Sequence, residues 1–390
     1  MSVTAARLHA PTTRRLGALR ARWTTAAPAR TSTYVLLLAT VAVLNIVGVV
    51  MVLSASSVAS LTNYGSAWYF FERQVLWAVL GVAVFAITSR IDYHVWRRLV
   101  LPLLVLSMVL LVLVLVPGIG ISVGGSRRWL GNGFLRFQPT ELAKLALLLF
   151  TADVLTRRAK DVYDWRRVLR PVLLVFGVTA LLVLREPDMD STVVLALIVG
   201  TVLVVGGVHL RHLTVLGGAG VLIAGVLAVA EPYRRARVLT YFHPWSDPSN
   251  TGYQVSQSLI ALGSGGWTGV GLGAGRSKWL FLPNAHTDFI FAIIGEEVGI
   301  LGCLLVVGLF VGFGVLGTRI ALHAPDRFGM LLAAGVTVWV VGQAAINIGG
   351  VVGLLPVSGI PLPFVSFGGS ALVFTMAAAG LLGSVARRAA

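Results

Sequence analysis

The sequence predicts an all-α polytopic membrane protein. It has about ten transmembrane helices, both termini cytoplasmic, and a large extracytoplasmic loop between the seventh and eighth spans. Three observations carry this. Of 390 residues, 57% are hydrophobic and 12% charged, whereas a soluble domain carries about 25% charged residues. The mean hydropathy is +0.87, so much of the apolar surface must face lipid. The 31 Lys and Arg residues fall between apolar runs and not along one amphipathic face. That is the pattern of loops flanking membrane spans, and it argues against a nucleic-acid partner despite the net charge of +16.

Crossing ~30 Å of hydrocarbon takes roughly 20 mostly apolar residues. Ten stretches qualify: 33–56, 74–88, 99–117, 139–155, 170–184, 191–208, 213–230, 288–316, 328–350 and 365–385. The second and fifth are short and need flanking aromatics, tilt or partial burial. An even number places both termini on one side. With the N-terminus inside, twenty of the 31 Lys and Arg residues lie in inner segments, so the excess fixes that side as cytoplasmic. The chain then divides into a cytoplasmic Arg-rich tail over 1–32, a ten-span domain over 33–386, and a short cytoplasmic tail over 387–390. The first tail carries Arg7, Arg14, Arg15, Arg20, Arg22 and Arg30 but no short apolar core or small-residue cleavage site. It is expected to be disordered and held near anionic lipid. Cys303 is the one cysteine and lies in an apolar run, so no disulfide or Cys-based metal site forms within one chain.

The outer loops are unequal. The longest runs over 231–287 and the next over 118–138. Long structured loops are often functional. Within 231–287, Arg234, Arg235 and Arg237 precede a turn-rich His243–Pro248 stretch. Residues 253–262 space their apolar positions as a short interfacial helix would. The glycine-rich 263–275 run follows no strand and sits in no cytosolic domain, so a nucleotide-binding loop is excluded.

Ionisable groups at membrane depth are expensive and mark function by default. Glu141 and Lys144, at the start of the fourth span, share a helix face and can pair. The pair serves packing, or Lys144 also faces a phosphate. Arg127 and Arg128, in the preceding loop, place two guanidiniums at the same rim, and Arg grips phosphate bidentately. Asp188 lies in the charged Arg185–Asp190 connection, either in a solvated turn or pointing inward. Asp288 opens the eighth span. It either caps the helix or heads a protein-facing stripe of Ala292, Gly295, Gly299 and Gly302, which allows close helix approach or leaves room for a substrate. Glu296 and Glu297 point to different sides and cannot share one partner.

Seven ordered segments together resemble the SEDS (shape, elongation, division and sporulation) family, and most closely its division branch. They are Gly125–Trp129, Phe137–Lys144, Glu186–Asp188, Gln257–Ala261, Gly265–Gly273, His286–Glu297 and Gly359–Ser370. The resemblance implies a peptidoglycan glycosyltransferase of the bacterial cytoplasmic membrane at the septum, with its active site facing outward. Its substrates would be lipid II and a lipid-linked glycan, with undecaprenyl pyrophosphate as leaving group. It also implies a class B penicillin-binding protein and other divisome proteins as partners, and a divalent cation, Mg2+ or Mn2+, with no ligand set assigned. The implied catalytic residue is Asp288. Glu141, Lys144 and Asp188 carry over as cavity residues; Arg127, Arg128, Arg276, Lys278, His286, Ser366 and Ser370 complete the substrate-binding candidates. Three departures from the family pattern stand out: Met189-Asp190 after Pro-Asp, Asn284 where Glu is usual, and a very short C-terminal tail.

The implied chemistry suits these residue types. A sugar hydroxyl is a poor nucleophile and needs a general base. The departing pyrophosphate needs cationic stabilisation. Two rivals come from other classes. A lipid II flippase would line both leaflets with polar groups, yet the charged motifs cluster on one side. A non-catalytic scaffold would leave Asp288 dispensable. Within the family, the elongation branch is the near alternative.

Overall fold

The computed structural model describes residues 30–123, 126–131, 136–230 and 252–389. The N-terminal tail up to residue 29, the Arg234–Pro248 stretch, and Gly124 and Gly125 lie outside the described residues. The described chain opens with α1 (Arg30–Tyr64), α2 (Tyr69–Arg90), a short α3 (Tyr93–Arg98) and α4 (Val100–Leu115). A small hairpin, β1 (Ile121–Val123) and β2 (Ser126–Trp129), leads to α5 (Pro139–Arg157). Then come α6 (Arg170–Arg185), α7 (Met189–Val205), α8 (Leu210–Ala230) and the short α9 (Tyr253–Ser264). The chain ends with α10 (Ile290–Leu322), α11 (Arg327–Val351) and α12 (Gly369–Ala386).

A helix falls on every one of the ten predicted stretches. Six helical segments are long and apolar enough to cross a membrane, and Val100–Leu115 and Met189–Val205 are apolar but shorter. The boundaries differ from the prediction where helices outrun their apolar cores. The short second stretch belongs to a 22-residue helix. The short fifth stretch is extended by a π-helical turn, Trp165–Leu169, capped by Asp164. At 35 residues, α1 is ~50 Å long and starts at Arg30, inside the segment assigned to the tail. The eighth helix starts at Ile290 with Phe289 at its N-cap, so Asp288 precedes the helix and does not open it.

Apolar side chains such as Ile46, Val79, Leu101, Val105, Leu301 and Leu304 stay exposed on the outside of the bundle. A surface of that kind is stable only against hydrocarbon, with backbone polar groups satisfied inside each helix. In contrast, α5 is buried nearly all round, so its Glu141, Lys144 and Asp153 meet protein and not lipid. Packed around it are α4, α7, α11 and α12.

The polar groups collect at two opposite ends. At one end, Arg97 Nε lies 2.6 Å from Asp153 Oδ1 and Arg157 Nε 2.7 Å from Asp153 Oδ2. His94 bridges Asp92 and Asp326 there, and Arg388 also reaches Asp92. Glu141 and Asp153 are twelve residues apart on α5, ~18 Å along its axis, so Glu141 marks the other end.

The glycine-rich run has a structural task. Inside α10, Gly299 breaks the helix at φ 74°, ψ −168°. The freed carbonyls of Glu296 and Glu297 each accept a 3.0 Å bond, from Val270 and Gly271 N–H respectively. A Cβ at Gly265 would strike the Gly295 carbonyl, and one at Gly269 the Glu297 carbonyl. At Gly295 and Gly299 the small-residue stripe of the eighth span is therefore filled by the chain's own 265–271 backbone. The predicted short helix forms as α9; Val255, Ser258 and Ala261 turn inward, and Ser258 Oγ donates to Val351 O at 2.8 Å.

Candidate functional site

The N-terminus of α5 organises the first half of the site. Glu141 Oε2 and Lys144 Nζ pair at 2.8 Å, with side chains 3% and 1% exposed. The contact lies off the hydrogen-bonding direction, so Glu141 Oε2 keeps no directed donor. Lys144 Nζ donates instead to Gln343 Oε1 at 3.2 Å and stands 5.2 Å above the Trp339 ring.

Asp188 points inward. It caps α7, accepting from Ser191 N at 3.1 Å and Ser191 Oγ at 2.8 Å, the usual way an Asp satisfies an orphan helix N–H. Gln138 Nε2 donates at 3.2 Å to Oδ2, the oxygen that Ser191 Oγ also reaches. The β-hairpin delivers Arg128 to the same turn, where Nε donates to Glu186 O at 3.1 Å and Nη2 to Pro187 O. Arg128 Nη1 is 3.8 Å from Asp188. Its neighbour Arg127 points the opposite way, as alternation along a strand requires, and is exposed.

Glu186, in the turn between α6 and α7, accepts from Thr140 Oγ1 at 3.2 Å, while its Oε1 has no hydrogen-bond partner. Desolvation, with Asp188 adding to it, pushes this carboxyl up to about 8. At neutral pH it is mostly protonated.

Asp288 lies half-buried in the turn before α10. Asn284 adopts φ 55° there, a left-handed conformation that Asn tolerates well, and its carbonyl accepts from Thr287 and Phe289 N–H. The departure at 284 thus suits a tight turn. The Asp288 carbonyl accepts from Asn347 Nδ2 at 2.8 Å. Ser366 Oγ donates to Thr287 O at 2.5 Å and Phe367 N to His286 O at 2.9 Å. The His286 ring packs against Phe70, with centroids 4.4 Å apart, and against Phe367. Burial holds its pKa down at about 4, so it offers a neutral hydrogen-bonding ring and no charge for a phosphate.

The segment 359–370 joins the two halves. Ser370 Oγ accepts from Gln138 N at 3.2 Å, Gly359 N donates to Asp190 Oδ2 at 2.9 Å, and Ser366 holds the Asp288 turn. Ser366 and Ser370 are buried, and both hydroxyls stitch motif to motif. The extra carboxylate at Asp190 anchors Gly359.

Lys278 is placed differently from the expectation. Its ammonium meets Glu297 Oε1 at 3.0 Å, Ser54 Oγ at 3.1 Å and Gly273 O at 2.6 Å. An ammonium has three donors, and all three are used inside the protein. Glu296 accepts from the Arg276 and Ser277 amides at 2.7 and 3.2 Å. The two glutamates do have separate partners. The Arg276 side chain is exposed.

Residues 34–390 match the cell cycle protein family of FtsW, RodA and SpoVE. The chain belongs to this family. A "Probable peptidoglycan glycosyltransferase FtsW" of Geobacter metallireducens is 39% identical over 87% of this chain and 91% of its own. Stage V sporulation protein E of Bacillus subtilis is 40% identical over 92% and 98%. One solved relative is a chain of a peptidoglycan synthase complex that coordinates polymerization and crosslinking. It superposes with a TM-score of 0.71 at 31% identity, covering 90% of this chain and 97% of that one. The rod shape determining protein RodA of Thermus thermophilus gives 0.64 at 30% identity, covering 90% and 96%. The FtsW, RodA and SpoVE family is thus shown by sequence and by fold.

Three contributors escaped the sequence reading, Gln343, Asn347 and Trp339, while Glu186 was read only as part of its motif. The signal for the two amides was present, since Gln and Asn interrupt the apolar ninth span four residues apart. A search confined to ionisable groups passes over them. The resemblance implies a divalent cation. Among the described residues no three His, Cys, Asp or Glu side chains come together, and the Glu186–Asp188 pair shares its turn with Arg128. The described donors do not fit a resident metal cage.

Proposed function

We propose that this chain is a peptidoglycan glycosyltransferase that polymerises lipid II into glycan strands at the outer face of the bacterial cytoplasmic membrane during septal wall synthesis. One observation carries the reading: Asp288, the Glu141–Lys144 pair and the Asp188–Arg128 turn are linked through one segment, 359–370, at one end of the bundle. The FtsW relatives' names support it. Positive-inside loops support a ten-span topology with both termini cytoplasmic and this end facing outward.

Asp288 takes the proton from the acceptor sugar hydroxyl as that oxygen attacks the anomeric carbon of the donor. The bond from that carbon to the pyrophosphate oxygen breaks, and undecaprenyl pyrophosphate leaves. Arg127, exposed at the hairpin, and Lys144 hold the pyrophosphate from substrate binding through its departure and neutralise its charge throughout. Lys144 stands here between Glu141, Gln343 and Trp339, so contact with pyrophosphate requires Glu141 to give way while Gln343 keeps the ammonium in place. Mg2+ or Mn2+ dependence is part of the proposal on resemblance alone, and no step is routed through a metal.

The proposed partner is a class B penicillin-binding protein, because a relative of this fold stands in a peptidoglycan synthase complex. The similarity to sporulation and rod-shape members makes an elongation or sporulation role the second reading. The deciding experiment supplies lipid II to the purified protein, with and without that partner, and resolves the products by length. Long glycan strands support the proposal. Lipid II moved across the bilayer without polymerisation would favour a flippase, and neither activity would leave a scaffold.

A further inference from the structure

We propose that Gln343 and Asn347 are positioning residues that hold Lys144 and the Asp288 turn in register; the inference rests on the polymerase reading above. They stand one turn apart on the same face of α11, ~6 Å along the axis, and each is 1% exposed. A primary amide at that depth is costly unless its donors and acceptor are used. Here the Gln343 oxygen and both amide nitrogens are used across segments, and only Asn347 Oδ1 is left without a donor. Gln343 Oε1 accepts from Lys144 Nζ at 3.2 Å and from Trp339 Nε1 at 3.0 Å, while its Nε2 donates to Pro361 O at 2.9 Å. Asn347 Nδ2 donates to Asp288 O and to Ile360 O, both at 2.8 Å.

The partners dictate both amide orientations. Lysine and indole N–H groups can only donate, and backbone carbonyls can only accept. Neither a carboxylate nor an ammonium serves both sides of Gln343. The two side chains also grip neighbouring carbonyls, Ile360 and Pro361, in a non-helical stretch whose carbonyls have no helix ladder to satisfy them. Lys144 on α5, the turn before α10 and the segment after α11 are thereby referenced to one rigid helix face. Gln343 acts through Lys144, at the pyrophosphate end. Asn347 acts through the Asp288 backbone, at the acceptor end.

The two roles separate kinetically. Full-length protein with its partner in nanodiscs is given lipid II, with melting temperature measured alongside. Gln343→Met removes the Lys144 acceptor and is expected to raise the lipid II KM about tenfold with kcat little changed, as for lost uniform binding. Asn347→Asp keeps the shape but replaces the donor, and is expected to lower kcat about tenfold with KM little changed. In a Lys144→Met background, Gln343→Met should add less than about twofold, because its effect passes through that lysine.

If Gln343→Met does not fold, Gln343→Glu takes its place: it gives up the bond to Pro361 O but keeps the acceptor for Lys144, on which KM depends, and should leave KM near wild type. Independent, multiplying effects of Gln343→Met and Lys144→Met, or wild-type kinetics in both single variants, would overturn the inference. With Gln343→Glu, a tenfold rise in KM would do the same. Failure of the wild-type protein to polymerise would instead overturn the polymerase reading, so the two failures are distinct.

Discussion

The two ends of the bundle both carry charged clusters, and they are built in opposite ways. At the Asp153 end the central carboxylate is buried, its side chain 9% exposed, but the groups around it reach solvent: the side chains of Arg157, His94 and Asp92 are 64%, 49% and 43% exposed. At the Lys144 end, Glu141, Lys144, Glu186 and Asp188 are all at most 2% exposed. Three oxygens there, Glu141 Oε2, Glu186 Oε1 and Asn347 Oδ1, lack a hydrogen-bond donor. Solvated pairs cost little to keep and add little. Buried, incompletely satisfied groups cost free energy that a purely structural end would not need to spend. The contrast is what the proposed function expects of the end that receives a ligand's polar groups.

The largest expected effect is at Asp288. Asn is of similar size and leaves the backbone carbonyl that Asn347 holds, so the turn should persist. An amide cannot accept the hydroxyl proton, and general bases typically contribute roughly 10²–10⁴-fold. Asp288→Asn is expected to melt like wild type, bind the partner and lose polymerisation by that order. Near-normal glycan synthesis would remove the functional half of the comparison.

Next is the buried ion pair. Lys144→Ala strands Glu141 at 2% exposure, and breaking such a pair costs about 3–5 kcal/mol. The uncharged double variant Glu141→Gln with Lys144→Met should recover most of that stability without recovering activity. Recovery of both would reduce Lys144 to packing.

How far these differences were legible depends on how far apart in sequence the partners lie. The spans were legible because lipid imposes long apolar runs, though not their ends, since α1 and α2 continue past the apolar stretch. The Glu141–Lys144 pair was legible because three residues on a helix share a face. The Lys278–Glu297–Ser54 cluster was not, because Ser54 and Glu297 are 243 residues apart and nothing local joins them. The glycine stripe was read correctly as small, but its occupant, the 265–271 backbone, depends on a helix break at Gly299 that a regular helical wheel assumes away. Asp288, by contrast, stood out from its motif alone, while Gln343 and Asn347, which set its surroundings, carry no charge to draw notice.

A smaller effect is expected from pH. Glu186 titrates near 4.5 when unfolded and at about 8 in the fold. Between those values the folded chain holds a proton that the unfolded chain has released. Stability is therefore fullest below pH ~4.5 and is lost as pH rises through ~8. Glu186→Gln mimics the protonated form and should flatten the fall in melting temperature across that window. An equally steep fall in the variant would show that Glu186 is not the desolvated group that distinguishes its end.

The smallest effect belongs to the opposite end, and it tests the comparison from the other side. Asp153 receives Arg97 at 2.6 Å and Arg157 at 2.7 Å, the closest charge contacts in either cluster. On distance alone Asp153→Asn would look severe. Yet the Arg157 side chain is 64% exposed and the Arg97 side chain 31%, so both guanidiniums can turn to water once the carboxylate is gone. Arg97 also keeps its place over the Phe328 ring, 5.7 Å from the centroid. Asparagine can still accept from one arginine. The expected cost is about 1 kcal/mol, smaller still in high salt, with lipid II polymerisation unchanged. A large loss of activity at full stability would mean that this end communicates with the chemistry some 18 Å along α5, and the division into a solvated end and a working end would fail.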